Sequence, residues 1–465
     1  MRLLALAALA VPGTVTPHTL PALHVPVPKV THAAHGTAPG YVFLAEKQGG
    51  KPGGPLIVDD RGRVVWYGQL AAPVQATDFR VQRYRGRPVL TWWQGRESAV
   101  GIGQGVGEIY DTRYRHVATV RAVGRGLQAD LHEFQLTPRG TAFLTAYREV
   151  RADLRSVGGP RRGWAYDSVV EEVDIATGRL VFEWHSIGHV PFAESVQARR
   201  PTAVHATKAK PLDYFHVNSV SDGPGGTILV SARNTSTIYL LARDGHIVWR
   251  LGGKRSDFGP ARAVRFALQH DPRLHGSLLT LFDNGGDPRV EPASRPLELR
   301  LDLEHRRARV VRTFVPPRRI ASPYEGNLQL LPGGGAFVGW GGIPEASEFG
   351  PDGSLRFQLE LPYGDSYRAY REPWRGRPVA RPLVAIARGT VYASWNGATG
   401  VARWEVLGGR DAAHLHRLAS VPWNGLETAI GVGGSPGVVR VRALDAAGRV
   451  LATSLPAGAG SPPTR

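Results

Sequence analysis

Two short phrases alternate along this 465-residue chain, and they constrain its fold more than any other feature. A glycine-containing turn followed by a short apolar strand occurs at RGRPVLTWW (85–93), RGTAFLTAY (139–147), GGTILVSAR (225–233), HGSLLTLF (275–282) and GGGAFVGWG (333–341). The other phrase is a turn leading into a strand with an aromatic near its end: DRGRVVWY (60–67), ATGRLVFEW (176–184), RDGHIVWRL (243–251) and PDGSLRFQL (351–359). Together they read as hairpin-rich units. Taking Gly54, Gly86, Gly140, Gly226, Gly276 and Gly334 as equivalent turns gives six units at intervals of 32, 54, 86, 50 and 58 residues. The longest interval holds an insertion between about Val150 and Leu212, with an Arg/Pro-rich piece at 197–211. An all-β chain with six units of about four strands predicts a six-bladed β-propeller, which leaves no long exposed sheet edge. A stack of unrelated sandwiches is the alternative.

After about Arg377 the phrasing changes. VYASWNGATGVARWEVLGG (391–409) and VRVRALDAAGRVLATS (439–454) alternate like the strands of a small fibronectin-III/Ig-like β-sandwich. The expected organisation is a propeller over 40–377, a sandwich over 380–456 and a disordered tail over 457–465. Met1-Arg2 and the apolar run Leu3 to Val11 read as a short secretory signal, and a Pro-rich leader extends it to about Val30. Residues 1–30 are therefore expected to direct a secreted or extracytoplasmic location. No stretch approaches the roughly 18 apolar residues of a membrane helix.

Composition narrows the chemistry. With no cysteine, and methionine only at position 1, disulfides, thiolate metal sites, a cysteine nucleophile and a lipid-anchor cysteine are excluded. The net charge of +18 comes from arginines scattered through every region, not from the single stripe or tail typical of nucleic-acid binders. This reads chiefly as a solvated basic surface, part of which attracts an anionic substrate. Neither a phosphate-binding G-x-x-x-x-G-K-[ST] nor a Rossmann glycine phrase occurs, so no nucleotide cofactor is expected. The basic piece RLGGKRS (250–256) reads as a solvated loop.

In a propeller the innermost strands run beside the axis, so residues at one repeat phase converge. Asp78, His132, His216, His270 and Asn327 lie 8, 8, 10, 6 and 7 residues before their turn glycines, with Asn218 close to His216. Arg233 and Asn234 follow on the next strand. Arginine grips a tetrahedral oxyanion with a planar fork of donors. A neutral histidine attacks sulfur or phosphorus, and a protonated one serves the leaving oxygen. The same three histidines would also suit zinc with an open position, although a neighbouring arginine opposes a metal. Trp92, Trp93, Tyr214, Phe215 and Trp340 are candidates for an aryl pocket, against a plainer reading as core.

The ordered phrases DLHEF, DYFHVNSVS, SARNTSTIY, IVWRLGG, QHD, LFDNGG, SRPLELRLD and EGNLQLLPGGGAFVGWGG resemble the arylsulfate sulfotransferase (ASST) family over about residues 40–455. The resemblance implies a six-bladed propeller that moves a sulfuryl group from a phenolic sulfate donor to a phenol acceptor without a cofactor. It casts His270 as the nucleophile, His216 and His132 as partners that bind sulfate and shuttle protons, Arg233 as the sulfate clamp, and Asn218 as their neighbour. Asn234 and Asn327 complete the expected substrate-binding set. The lack of cysteine and the C-terminal module point to an actinobacterial-like branch, with oligomeric state left open. Two other readings compete. One is a metal-dependent propeller hydrolase of lactonase type using Asp78, Asp271, Asp283 and Glu325; the other is a non-catalytic ligand-binding propeller.

Overall fold

The computed structural model describes residues 13–47, 53–198, 204–260, 264–434 and 436–458. Among the described residues the chain is all-β, its elements being strands joined by loops and three single-turn 3-10 segments. Six antiparallel sheets are built in succession. Gln75–Tyr84, Arg87–Glu97, Gly103–Tyr110 and His116–Val120 form the first, and Phe134–Leu136, Thr141–Ala152, Gly163–Asp174 and Leu180–His185 the second. The third contains Val217–Asp222, Ile228–Ala232, Thr237–Leu241 and Ile247–Gly252, and the fourth His270–His275, Leu278–Asp283, Arg295–Asp302 and Arg307–Thr313. In the fifth, Asn327–Leu330, Ala336–Gly339, Glu345–Phe349 and Leu355–Glu360 are extended by Lys29–His32. The sixth is composite. Asp365–Glu372 pairs with Tyr41–Lys47, which carries Gly54–Val58 and Val64–Tyr67 beyond it. Among the described residues no sheet closes on itself.

Sheets covered on both faces need strands without polar alternation, and ILVSA (228–232) and TIYLL (237–241) are buried at every position. Gly86, Gly140, Gly226, Gly276 and Gly334 all have positive φ in the turn between the first and second strands of their sheets, a conformation glycine adopts without steric cost. Gly54 instead starts the third strand of the sixth sheet, one strand out of phase with the others. The apparent first unit of the sequence is the outer part of the last sheet.

Hydrogen bonds link each sheet to the next. They run from Gln82 Nε2 to the Phe134 carbonyl (2.9 Å), from Tyr147 Oη to that of Val217 (2.7 Å) and from Asn218 Nδ2 to that of Gln269 (2.7 Å). Asn284 Nδ2 reaches the Glu325 carbonyl (3.0 Å), Asn327 Nδ2 that of Ala369 (2.8 Å), and Tyr370 Oη returns to Asp78 Oδ1 of the first sheet (3.1 Å). Where the sheets meet, Arg368 is fully buried among Asp78 (2.9 Å), Glu133 (3.1 Å) and Asp271 (3.2 Å). Arg80 also pairs with Asp78 and Glu133, and Arg273 with Glu133 and Asp271, so three guanidiniums face three carboxylates.

Beyond the sixth sheet, Leu383–Ala387, Thr390–Ser394 and Glu427–Gly431 form one sheet. Leu415–Pro422, Arg403–Gly409, Val438–Leu444 and Val450–Thr453 form another, and the two share a core that includes Val391, Trp404, Val406, Ile430 and Val441. The SWNGAT phrase docks this unit: Asn396 accepts from the Tyr67 N–H and donates to its carbonyl, both at 3.0 Å.

The chain ends differ from the sequence expectation where they are described. Within the expected leader, Thr14–Val15 pairs with Val25–Pro26, and Val30 pairs with Leu359. Thr19 bonds Glu427 through both its backbone N–H (2.7 Å) and its hydroxyl (2.6 Å). Within the expected tail, Ala457 and Gly458 pair with Val439 and Val438. The apolar run Leu3 to Val11, residues 199–203 of the Arg/Pro-rich piece and residues 459–465 lie outside the described residues. Among the described residues no helix is long and apolar enough to cross a membrane.

Candidate active site

Entry into the first strand of the sheet is irregular in the same way at several sheets. Register shifts fall between Thr77 and Arg80, Val217 and Ser219, and His270 and Arg273. Asp78, His216, Asp271 and Glu325 all take positive φ although none is glycine. Such bulges re-aim side chains and concentrate at functional sites. Here they accompany His132, His216, His270 and Arg233 around one cavity of about 490 Å³.

His270 is buried, and its hydrogen bonds fix its tautomer. Asn284 Nδ2 donates to the carbonyls of Ser322 (3.3 Å) and Glu325 (3.0 Å), so its Oδ1 faces His270 Nδ1 at 2.7 Å as an acceptor. The proton therefore sits on Nδ1. Nε2 keeps its lone pair, which takes one long bond from the Glu325 N–H (3.2 Å). Burial, reinforced by the Arg233 charge, holds the imidazole well below its ordinary pKa and hence neutral at pH 7.

His132 and His216 are held alike. Nδ1 of His132 bonds the buried Asp130, which also accepts from the Gly103 N–H and the Thr145 hydroxyl. Nδ1 of His216 bonds Asp213 at 2.5 Å. Each carboxylate orients its ring, and the ring centroids lie 4.8 Å apart, edge to face. Burial lowers the His132 pKa despite the opposing Asp130 charge. Arg233 is half-buried, and desolvation, opposed by the charges of Asp213 and Asp287, weakens its hold on its proton. Among the described residues its guanidinium donates to Asn234 Oδ1 (3.0 Å) and the Pro323 carbonyl (3.4 Å) and forms no salt bridge. A partly desolvated guanidinium without a salt bridge is a fitting partner for an anion, and this one lines the cavity.

The three asparagines of the expected binding set do not line this cavity. Asn218 is spent on the Gln269 carbonyl beside His270, and Asn234 fixes Arg233 while donating to the Asp213 carbonyl (2.7 Å). Asn327 exchanges two hydrogen bonds with the Ala369 backbone. All three position their neighbours. Trp92, Trp93, Tyr214, Phe215 and Trp340 belong to the packed cores, as the plainer reading has it. The aromatic and apolar lining is Tyr324, Tyr367, Leu131 and Val100.

Apart from Glu325, sequence reasoning missed one part of the cavity wall. There Lys47 meets Glu325 (2.5 Å), Glu97 (3.3 Å) and Asp365 (3.7 Å). It also passed over Asp130 and Asp213, although an Asp two or three residues before a catalytic-phase histidine is a readable signal. The carboxylates of the hydrolase reading are engaged by cations: Asp78 by Arg80 and Arg368, Asp271 by Arg273 and Arg368, Asp283 by Arg295, and Glu325 by Lys47. Among the described residues no group of three or more His, Asp or Glu is arranged to hold a metal ion.

The family model for arylsulfotransferases (ASST) matches residues 80–361, more than half of the chain. The chain belongs to the arylsulfotransferase family. Membership points to aryl sulfotransferase activity and phenolic substrates, and the matched span includes His132, His216, Arg233 and His270. No curated protein matches the chain. Solved structures with a likeness include a protein of unknown function from Bacteroides caccae, 12% identical, covering 71% of this arylsulfotransferase and 98% of that chain at a TM-score of 0.44. Virginiamycin B lyase from Staphylococcus aureus (10%, 80% and 92%, 0.31) and AztD from Citrobacter koseri (12%, 85% and 98%, 0.31) are also similar. At these identities and TM-scores none bears on the chemistry.

Proposed function

We propose that this protein transfers a sulfuryl group from a phenolic sulfate ester to a phenol through a sulfohistidine at His270, by ping-pong turnover without a nucleotide donor. One observation supports the reading: a neutral imidazole whose Nε2 lone pair takes a single long bond shares a cavity with a guanidinium that forms no salt bridge among the described residues. Nε2 attacks sulfur and the bond from sulfur to the aryl oxygen breaks. The donor phenol departs with a proton, and the acceptor phenol then takes the sulfuryl group as the N–S bond breaks. Arg233 neutralises the non-bridging oxygens. His132 and His216, oriented by Asp130 and Asp213, flank them. The Glu325 N–H is a further donor for a sulfuryl oxygen, and engaging it there frees the Nε2 lone pair.

In this reading the six sheets are blades of a propeller whose inner strands surround the site, and residues 380–456 form an accessory sandwich. The apolar run Leu3 to Val11 supports export; N-terminal sequencing of protein recovered outside the cell tests it, and an intact Met1 there would refute cleavage.

The deciding experiment mixes purified protein with 4-nitrophenyl sulfate, with and without phenol. Phenol-dependent nitrophenolate release, with a sulfuryl-sized mass increase mapped to His270, is expected. No release under any condition would overturn the reading. Arg233→Ala should raise KM for the donor and lower kcat/KM by about 10²-fold or more, since a charge-assisted clamp contributes about 3 kcal/mol. An unaltered KM would remove Arg233 from the anion site.

A further inference from the structure

On the reading of the site as a sulfotransferase, the donor half-reaction needs a proton source, and His132, His216 and Glu325 all stand at the cavity. An ordinary phenolate is a poor leaving group and requires a proton as the S–O bond breaks. In the free cavity His132 is held neutral, with its remaining proton committed to Asp130, so its Nε2 has none to give. We propose that Glu325 is the catalytic acid that protonates the departing phenol, and the base that deprotonates the incoming one.

The geometry sets Glu325 beside the reacting nitrogen. Its N–H bonds His270 Nε2 (3.2 Å), its carbonyl accepts from Asn284 Nδ2 (3.0 Å), and Asn284 Oδ1 closes the loop on His270 Nδ1 (2.7 Å). Nucleophile and acid thus share one clamp, and residue 325 keeps a left-handed backbone (φ 62°) within it. The carboxyl belongs to the cavity wall. Lys47 anchors Oε1 at 2.5 Å, while Oε2 is buried with no hydrogen-bond partner among the described residues. Such an orphan calls for an explanation. A carboxylic acid whose partner is the substrate oxygen supplies one.

Charge counting favours a proton on this group. Three carboxylates, Glu325, Glu97 and Asp365, converge on the single cation Lys47. Glu325 is the most buried of them, with 7% of its side chain exposed against 22% for Glu97 and 19% for Asp365. Like charges in a desolvated wall are relieved by protonating the least solvated member. Burial, opposed by Lys47 and reinforced by Asp365 and Glu97, pushes the Glu325 carboxyl up to about 8. Tyr324, Tyr367 and His270 complete the titratable surroundings. The steps balance. Nε2 bonds sulfur, the S–O bond breaks, and the aryl oxygen takes the Oε2 proton, leaving a carboxylate paired with Lys47. In the second half, the acceptor hydroxyl returns a proton to that carboxylate as its oxygen bonds sulfur and the N–S bond breaks.

The test compares phenyl sulfate with 4-nitrophenyl sulfate, whose leaving group needs little proton assistance. In the wild type, kcat/KM for phenyl sulfate should fall as pH rises through about 8, with a weaker decline for the nitro ester. Glu325→Gln should lose about 10²-fold more activity toward phenyl sulfate than toward the nitro ester, and its basic limb should vanish. Infrared spectroscopy gives a readout independent of turnover: a protonated-carboxyl band present at neutral pH, lost as pH rises past 8 and missing from Glu325→Gln. Equal losses toward both esters, or a steeper leaving-group dependence in His132→Ala or His216→Ala than in Glu325→Gln, would overturn the proposal. A wild type inert toward both esters would overturn the sulfotransferase reading and this one together, an outcome distinct from an active enzyme with equal losses.

Discussion

His270→Ala abolishes sulfuryl transfer, lowering phenol-dependent turnover of 4-nitrophenyl sulfate by about 10⁴-fold or more, the scale on which a covalent nucleophile is lost. The sulfuryl-sized mass increase disappears with it. Truncation also orphans Asn284 Oδ1 and the Glu325 N–H, at a cost of about 1–3 kcal/mol for each buried group. His270→Gln is therefore the companion variant: its amide can keep one of those bonds while offering no competent nucleophile. Loss of transfer in both, with the unfolding midpoint of His270→Gln close to that of the wild type, isolates the chemistry. Retained turnover in His270→Gln would exclude His270 as the covalent residue.

Arg368→Ala destabilises the six-sheet unit by about 3–5 kcal/mol, because it strands buried Asp78, Glu133 and Asp271 with two guanidiniums in place of three. A drop in the thermal unfolding midpoint, followed by tryptophan fluorescence, measures this. A shift within the range of surface substitutions would show that Arg80 and Arg273 suffice. The sign of the pH dependence follows from Glu133. Burial pushes its carboxyl up, but Arg273, Arg368 and Arg80 outweigh burial and hold it well below the ordinary range. Its contribution is full above the unfolded carboxyl value and is lost as pH falls toward the folded one. In the variant, with one of the three cations gone, that loss should be smaller and complete at a higher pH.

The repeat phrases were legible because each blade-like sheet needs a left-handed turn after its first strand, and glycine marks that turn at 86, 140, 226, 276 and 334. The in-register histidines were legible for the same reason, and the structure brings all three to one cavity. Counting offsets could not show how a bulge redirects a side chain. Asp78 shares the phase of His132, yet it turns to Arg368, and Asn327 is spent on the Ala369 backbone. Nor could local phrases reveal the wall opposite. Lys47 and Asp365 are register partners across the composite sheet, separated by most of the chain, and neither lies in a repeated phrase. The sequence-level resemblance was most informative where its phrases carried chemistry, in DLHEF, FHVNS, SARNTS and QHD; Asp130, Asp213 and Asn284 stand in those or neighbouring phrases, and only the structure shows that they hold the three histidines.

The pairing of Asp365–Glu372 with Tyr41–Lys47 has a temporal consequence. Asp365, Tyr367 and Arg368 supply the site's wall, its aromatic lining and its central counterion, and they are made after every histidine of the cavity. A nascent chain halted just after residue 361 carries the whole matched family segment, 80–361, and still lacks Asp365 and Tyr367 of the cavity wall. Competence arrives late, when the two ends of this long loop find each other against the entropy of closing it. The cavity that gathers the three histidines is thus complete only once Tyr41–Lys47 and Asp365–Glu372 have met.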